Sequence, residues 1–163
     1  MTKPSIVETV ASVLERDLSL TIEKWTERVN KTKALTDVKL NHEERMGHLP
    51  RLLEDIVARL RLAKNTTPRN SSAARDHGTV RFKQCYTVSM LIEESRLLQV
   101  SIFETLHRNQ DTLDPEVVLL DVMTIADECD SQLGNTIDTF MEAEEKKKIH
   151  VRPRSDLISG SGL

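Results

Sequence analysis

Aromatic residues make up only 3% of this 163-residue chain, with one tryptophan, one tyrosine and three phenylalanines. Sheets draw on aromatic and β-branched side chains, so this shortage, together with only five glycines, argues against a sheet protein. The two cysteines, Cys85 and Cys129, fall inside helical patterns and lack framework spacing, which speaks against a disulfide scaffold or a zinc module. They read as small apolar fillers in a reducing, cytoplasmic setting. A formal net charge of −3 is far from the clustered basic surface that phosphate binding requires, and no short helix-turn-helix carries a basic face, so no nucleic-acid partner is expected. Long apolar runs are also missing. The opening Met1-Thr2-Lys3-Pro4-Ser5 leads into an amphipathic segment, which predicts neither a signal peptide nor a membrane span.

What the chain does have is 38% hydrophobic and 30% charged residues, in a length suited to one packed domain. The pattern is that of an all-α protein, an antiparallel bundle of about five helices over residues 1–148 with a disordered tail over 149–163. Ser5 with Glu8 reads as a capping box, and Ile6, Val10, Leu14, Leu18, Ile22, Trp25 and Val29 then predict one long amphipathic helix. Residues 30–40 read as a connector. Asn41 with Glu44 restarts the helical signal, and Pro50 predicts a kinked or two-part helix running to about Ala63. Ser71 or Ser72 caps a third helix to about Cys85, and Thr87 caps a fourth from Val88 to about His107. Asp114-Pro115-Glu116 opens the last helix, whose predicted inner face is Leu119, Val122, Ala126, Cys129, Leu133, Ile137 and Phe140 and which closes at Lys146-Lys147-Lys148.

The sharpest candidates for a site lie at the joint between the third and fourth helices. His77 and Arg81 are one turn apart, hence on one face, and Glu94 or Ser95 fills a position in the apolar stripe of Leu91, Leu98, Ile102 and Leu106. A buried glutamate must find a partner, and Arg81, Arg96 and His77 are the available ones. Either a ligand site or a structural ion-pair network fits these residues. Trp25 is a core anchor or the wall of such a site. Glu104 and His107 form a Glu-x-x-His pair, but the second pair and the further glutamates of a di-iron bundle are missing, so neither metal nor cofactor is expected. No nucleophile stands beside a base, so no enzymatic activity is expected. The last helix carries ten acidic residues and no Lys or Arg between Asp114 and Glu145, which predicts a solvated acidic face or one turned to arginines of a neighbouring helix or subunit.

Ile22-Glu23-Lys24-Trp25 with Val29, Leu49-Pro50-Arg51-Leu52-Leu53, His77-Gly78-Thr79-Val80-Arg81 and Tyr86-Thr87 follow one another at intervals that resemble a known family. With Leu91-Ile92-Glu93-Glu94-Ser95-Arg96-Leu97-Leu98 they resemble the helical amino-terminal domain named after RsbRD, the RsbT co-antagonist of the bacterial stressosome, over most of residues 5–145. Related domains precede sensor histidine kinases. Cys85 stands where that pattern has a glycine. The resemblance implies a bacterial signalling input or interaction domain. No kinase or STAS output domain follows in this sequence, so the expected partner is a histidine kinase or STAS-type protein acting in trans, or the chain is an excised input domain. Association as a homodimer through the first or last helix is a further expectation.

Overall fold

The computed structural model describes residues 7–68 and 70–151, and these are mostly helical, with eight helices and no strand among them. The all-α expectation holds. The helices are α1 (Val10–Arg16), α2 (Leu18–Asn30), α3 (Lys33–Thr36), α4 (His42–Met46), α5 (Leu49–Leu60), α6 (Ser72–Lys83), α7 (Val88–Arg108) and α8 (Pro115–Val151). Among the described residues no helix is long and apolar enough to cross a membrane.

Side-chain caps set most of the helix starts. Asn41 and Glu44 close the reciprocal capping box on α4, Ser71 accepts from the Ala74 amide, and Thr87 accepts from the Met90 amide. Pro50 lies in the first turn of α5, where its missing amide leaves nothing unpaired, so the predicted two-part helix is α4 and α5 separated at Gly47 and His48.

Three expectations need correction. The long first helix is broken at Asp17, whose carboxylate accepts from Arg16 at 3.0 Å and from Asn109 at 2.9 Å, and α1 is capped by Thr9. Ser5 lies outside the described residues. The 30–40 connector contains the single turn of α3, pinned by the fully buried Leu35. The last helix does not stop at residue 148: Ile149, His150 and Val151 continue it, and 152–163, the rest of the expected tail, lie outside the described residues.

One main core gathers Trp25 and Val29 from α2, Leu53 and Ile56 from α5, Leu98 and Ile102 from α7, and Ile125 and Phe140 from α8. α8 runs along α5, α6 and α7, while α2 lies on α7 and α1 rests on α5 and α7. The predicted inner face of α8 is borne out at Cys129 and Phe140, which are buried, and at Val122, Leu133 and Ile137, which pack on the core, but it is wider and more polar than predicted. Asp121, Ile125, Glu128, Gln132, Thr136 and Thr139 are buried, and Leu119 is exposed. The reason lies in the approach of α6, which is lined by Ala73, Ala74 and Gly78. A Cβ added to Gly78 would overlap the carbonyl oxygen of Thr136 and the hydroxyl of Thr139. At that separation Thr136 donates to the Ala74 carbonyl at 3.0 Å and Thr139 to the Arg75 carbonyl at 2.8 Å, so polar side chains on α8 are paired across the contact. Gln132 likewise donates to the Leu52 carbonyl of α5 at 2.9 Å.

Candidate functional site

α6 ends in a Schellman arrangement, with the Tyr86 amide donating to the Arg81 carbonyl at 3.1 Å and the Cys85 amide to the Phe82 carbonyl at 3.1 Å. Cys85 occupies the left-handed position of that motif, with φ of 62°, in the place where a glycine is usual. It is exposed in the turn, which corrects the reading of this residue as a filler within a helix, whereas Cys129 is buried as expected. The tight reversal brings Tyr86 and α7 back against α6, so that His77, Arg81 and Glu94 meet.

They meet inside the protein. Arg81 is 0% exposed and Glu94 4%. Glu94 is saturated: one carboxylate oxygen accepts from His77 Nε2 at 3.2 Å and Arg81 Nε at 3.1 Å, and the other from the Tyr86 hydroxyl at 2.9 Å and Arg81 Nη2 at 3.0 Å. The Trp25 indole donates to the Glu94 backbone carbonyl at 3.2 Å, which adds α2 to the joint. Arg81 also lies 4.7 Å from the centre of the Tyr86 ring. Burial works against ionisation of Glu94, but the His77 hydrogen bond, the Arg81 charge and the Tyr86 hydroxyl outweigh it and hold the carboxyl below its usual range. Burial, then the charge of Glu94, pushes the Tyr86 hydroxyl up to about 12.

Two members of the network were not singled out from the sequence. Arg45 donates to the Tyr86 hydroxyl at 3.0 Å and to the carbonyls of Leu35 at 2.8 Å and Val38 at 2.7 Å. Arg81 in turn donates to the carbonyls of Glu44 at 2.8 Å and Arg45 at 2.6 Å and to the Gln84 side chain at 2.6 Å. Each guanidinium therefore sits at the carbonyl end of a short helix, Arg45 beside α3 and Arg81 at the last turn of α4, where a positive charge and several donors meet unpaired carbonyls. The pair of arginines clips the strap of residues 31–47 to α6 and α7. A readable signal existed for both residues: Arg45 lies one turn before Leu49 on the apolar stripe, and Tyr86 is the chain's single tyrosine.

Arg96 does not join them. It points to solvent and pairs with Glu93 at 2.7 Å, since two residues along a helix from Glu94 is more than half a turn away. Glu104 is taken up by Arg28 at 2.7 Å and Arg108 at 3.3 Å, and His107 is exposed. Among the described residues no group of three or more His, Cys, Asp or Glu is placed to hold a metal ion.

Beside the network lies a cavity of about 40 Å³, room for two or three water molecules, bounded by Trp25, Met46, His77, Glu94, Cys129 and Gln132 among others. Nδ1 of His77 and Nδ1 of His48 are buried without a hydrogen-bond partner, and the two rings meet edge to face at 5.9 Å. Burial, and then the neighbouring His77, lowers the pKa of His48. Gly47, with φ of 49°, passes close to both Arg81 and His77, which places the bend between α4 and α5 directly against the site.

The arrangement has no nucleophile poised beside a base and no carboxylate oxygen free for a substrate, and its chemistry is that of a buried charge cluster at a chain junction, paired except at Nδ1 of His77. Compared with known proteins, the chain matches no family model, no curated protein and no solved structure.

Proposed function

We propose that this chain is a non-catalytic bacterial signal-transduction input or protein-interaction domain that works in the cytoplasm and relays a signal through helix packing. The observation that carries the reading is the clip at the joint: His77, Arg81, Glu94, Tyr86 and Arg45 tie the strap of residues 31–47 to α6 and α7 through buried charges. Buried charges of this kind are costly once unpaired, so the joint has two well-separated states, clipped and released. The resemblance to the RsbRD-type domain supports the same reading and points to a histidine kinase or STAS-type partner in trans. Self-association as a homodimer belongs to the same proposal.

A second reading, a structural interaction module with no ligand, draws support from the saturation of Glu94, whose two oxygens already accept four hydrogen bonds. Glu94→Gln separates the two, because it keeps the shape and leaves Arg81 without its counter-charge. Amide hydrogen exchange should show faster exchange confined to residues 31–47 and the 84–87 turn, with α2 and α8 still protected. Uniform loss of protection across the chain would overturn the relay reading and leave a purely structural network.

A further inference from the structure

The outer face of α8 carries exposed apolar residues near its start. Leu119, Leu120 and Met123 are 66%, 50% and 61% exposed, and Val117 borders them. Together they present roughly 400 Å² of apolar surface, within the range of the largest patch on a typical monomer, which is often functional. At 100° per residue Leu119, Leu120 and Met123 lie on one face, roughly 100° wide, with Glu116, Asp130, Gly134, Asp138, Met141 and Glu145, and the Lys148 on that face is paired with Glu144. Among the described residues the exposed Glu116, Asp130, Asp138 and Glu145 have no ion-pair partner, whereas Asp121, Asp127, Glu128, Glu142 and Glu144 each have one. The outer line of α8 is thus apolar at one end and along its length carries unneutralised negative charge.

This charge selects the occupant. A second copy laid along the same line, parallel or antiparallel about Gly134, would bring Asp130 and Asp138 against acidic residues of its own kind, a like-charge juxtaposition that costs binding energy. An anionic membrane surface is repelled for the same reason. We propose that the outer line of α8 is a docking face for an amphipathic helix of a partner protein whose apolar stripe is bordered by Lys and Arg. The leucines and methionine of α8 take the apolar stripe, and Glu116, Asp130, Asp138 and Glu145 take the basic borders. The proposal rests on the reading of the chain as an interaction domain and names the chemistry of its partner.

The test uses the full chain and a fluorescein-labelled 18-residue peptide of leucine and lysine with the leucines on one helical stripe, followed by fluorescence anisotropy. Saturable binding is expected, weakened by added salt, with a scrambled peptide of the same composition binding at least tenfold more weakly. Leu120→Ser with Met123→Ser, and separately Asp130→Asn with Asp138→Asn, should each weaken binding about tenfold. All four positions are exposed, so circular dichroism and the unfolding midpoint should stay at wild-type values. Equal binding of the scrambled peptide, or binding that neither double variant changes, overturns the proposal. So does a dimer in sedimentation that Leu120→Ser with Met123→Ser dissolves, since the face would then belong to a second copy. If the docking face fails while Glu94→Gln still loosens only the strap, this inference falls and the relay reading stands.

Discussion

Two glycines, one on each of the two most intimately packed helices, give a paired test of the packing. Gly78 of α6 faces the backbone of α8, and a methyl group there would overlap the Thr136 carbonyl oxygen and the Thr139 hydroxyl and lie 3.0 Å from the Thr136 carbonyl carbon. The first atom is main chain and cannot swing aside, so Gly78→Ala must force the two helices apart. Overpacking of this kind costs about 1–3 kcal/mol. Separation also stretches the hydrogen bonds from Thr136 to Ala74 and from Thr139 to Arg75, at about 1 kcal/mol each. Against this stands about 1 kcal/mol gained from the better helix propensity of alanine. The net expectation is a loss of about 2–4 kcal/mol, a large part of the stability of a small domain. Gly134 of α8 has nothing within 4 Å of its added methyl, so Gly134→Ala should instead stabilise by about 1 kcal/mol. Urea unfolding followed by circular dichroism reads both. If Gly78→Ala is as stable as the wild type while Gly134→Ala gains as stated, α6 and α8 are not in close contact and the account of the polar face of α8 is wrong.

Cys85→Gly should raise stability by about 0.5–1 kcal/mol, since it relieves a left-handed backbone at the end of α6 but adds freedom to the unfolded chain, and the urea midpoint measures it. Alkali should destabilise the fold in a defined window. Burial, then Asp130 and Glu128, holds the Cys129 thiol up at about 12 against an ordinary 9.0, and Tyr86 is held at about 12 against 10.0. Both groups are protonated in the folded chain where the unfolded chain has already lost the proton, so their stabilisation is complete below pH 9 and drains away as the pH rises towards 12. The expected loss is roughly 2 kcal/mol at pH 10 and roughly 4 kcal/mol at pH 11, and Cys129→Ala with Tyr86→Phe should flatten the slope between pH 9 and 11.

What could be read from the sequence follows the range of the forces involved. Helix starts at Asn41, Ser71, Thr87 and Asp114 were legible because a capping side chain bonds to an amide two or three residues away. Glu94 was legible because a carboxylate in an apolar stripe must be paired, and the turn-spaced His77 and Arg81 were its natural partners. The apolar part of the α8 inner face was legible from its periodicity, but its polar part was not, because the threonines and glutamine are buried only by virtue of α6 and α5 carbonyls, reached through a close approach that Gly78 permits and that no local periodicity records. The same holds for Asp17, whose break in the first helix is tied to Asn109 at the far end of α7. Arg45 was passed over because its partners, the carbonyls of Leu35 and Val38, become available only once α3 has formed.

α6 connects the clip to the helix that carries the proposed docking face. His77 and Arg81 reach one way, to Glu94 and to the carbonyls of α4, while Gly78, in the middle of the same turn, lies against α8. A contact without room for a methyl group has no slack, so rotation or translation of α6 large enough to part Arg81 from Glu94 must also move α8 or break the hydrogen bonds of Thr136 and Thr139. The cavity of about 40 Å³ lies on the path, with His77 and Glu94 on one side and Cys129, Gln132 and Thr136 of α8 on the other. It supplies free volume for side chains of α7 and α8 beside the tight contact of α6. The proposed relay needs such a tight contact with a loose region beside it, and both occur where α6, α7 and α8 meet.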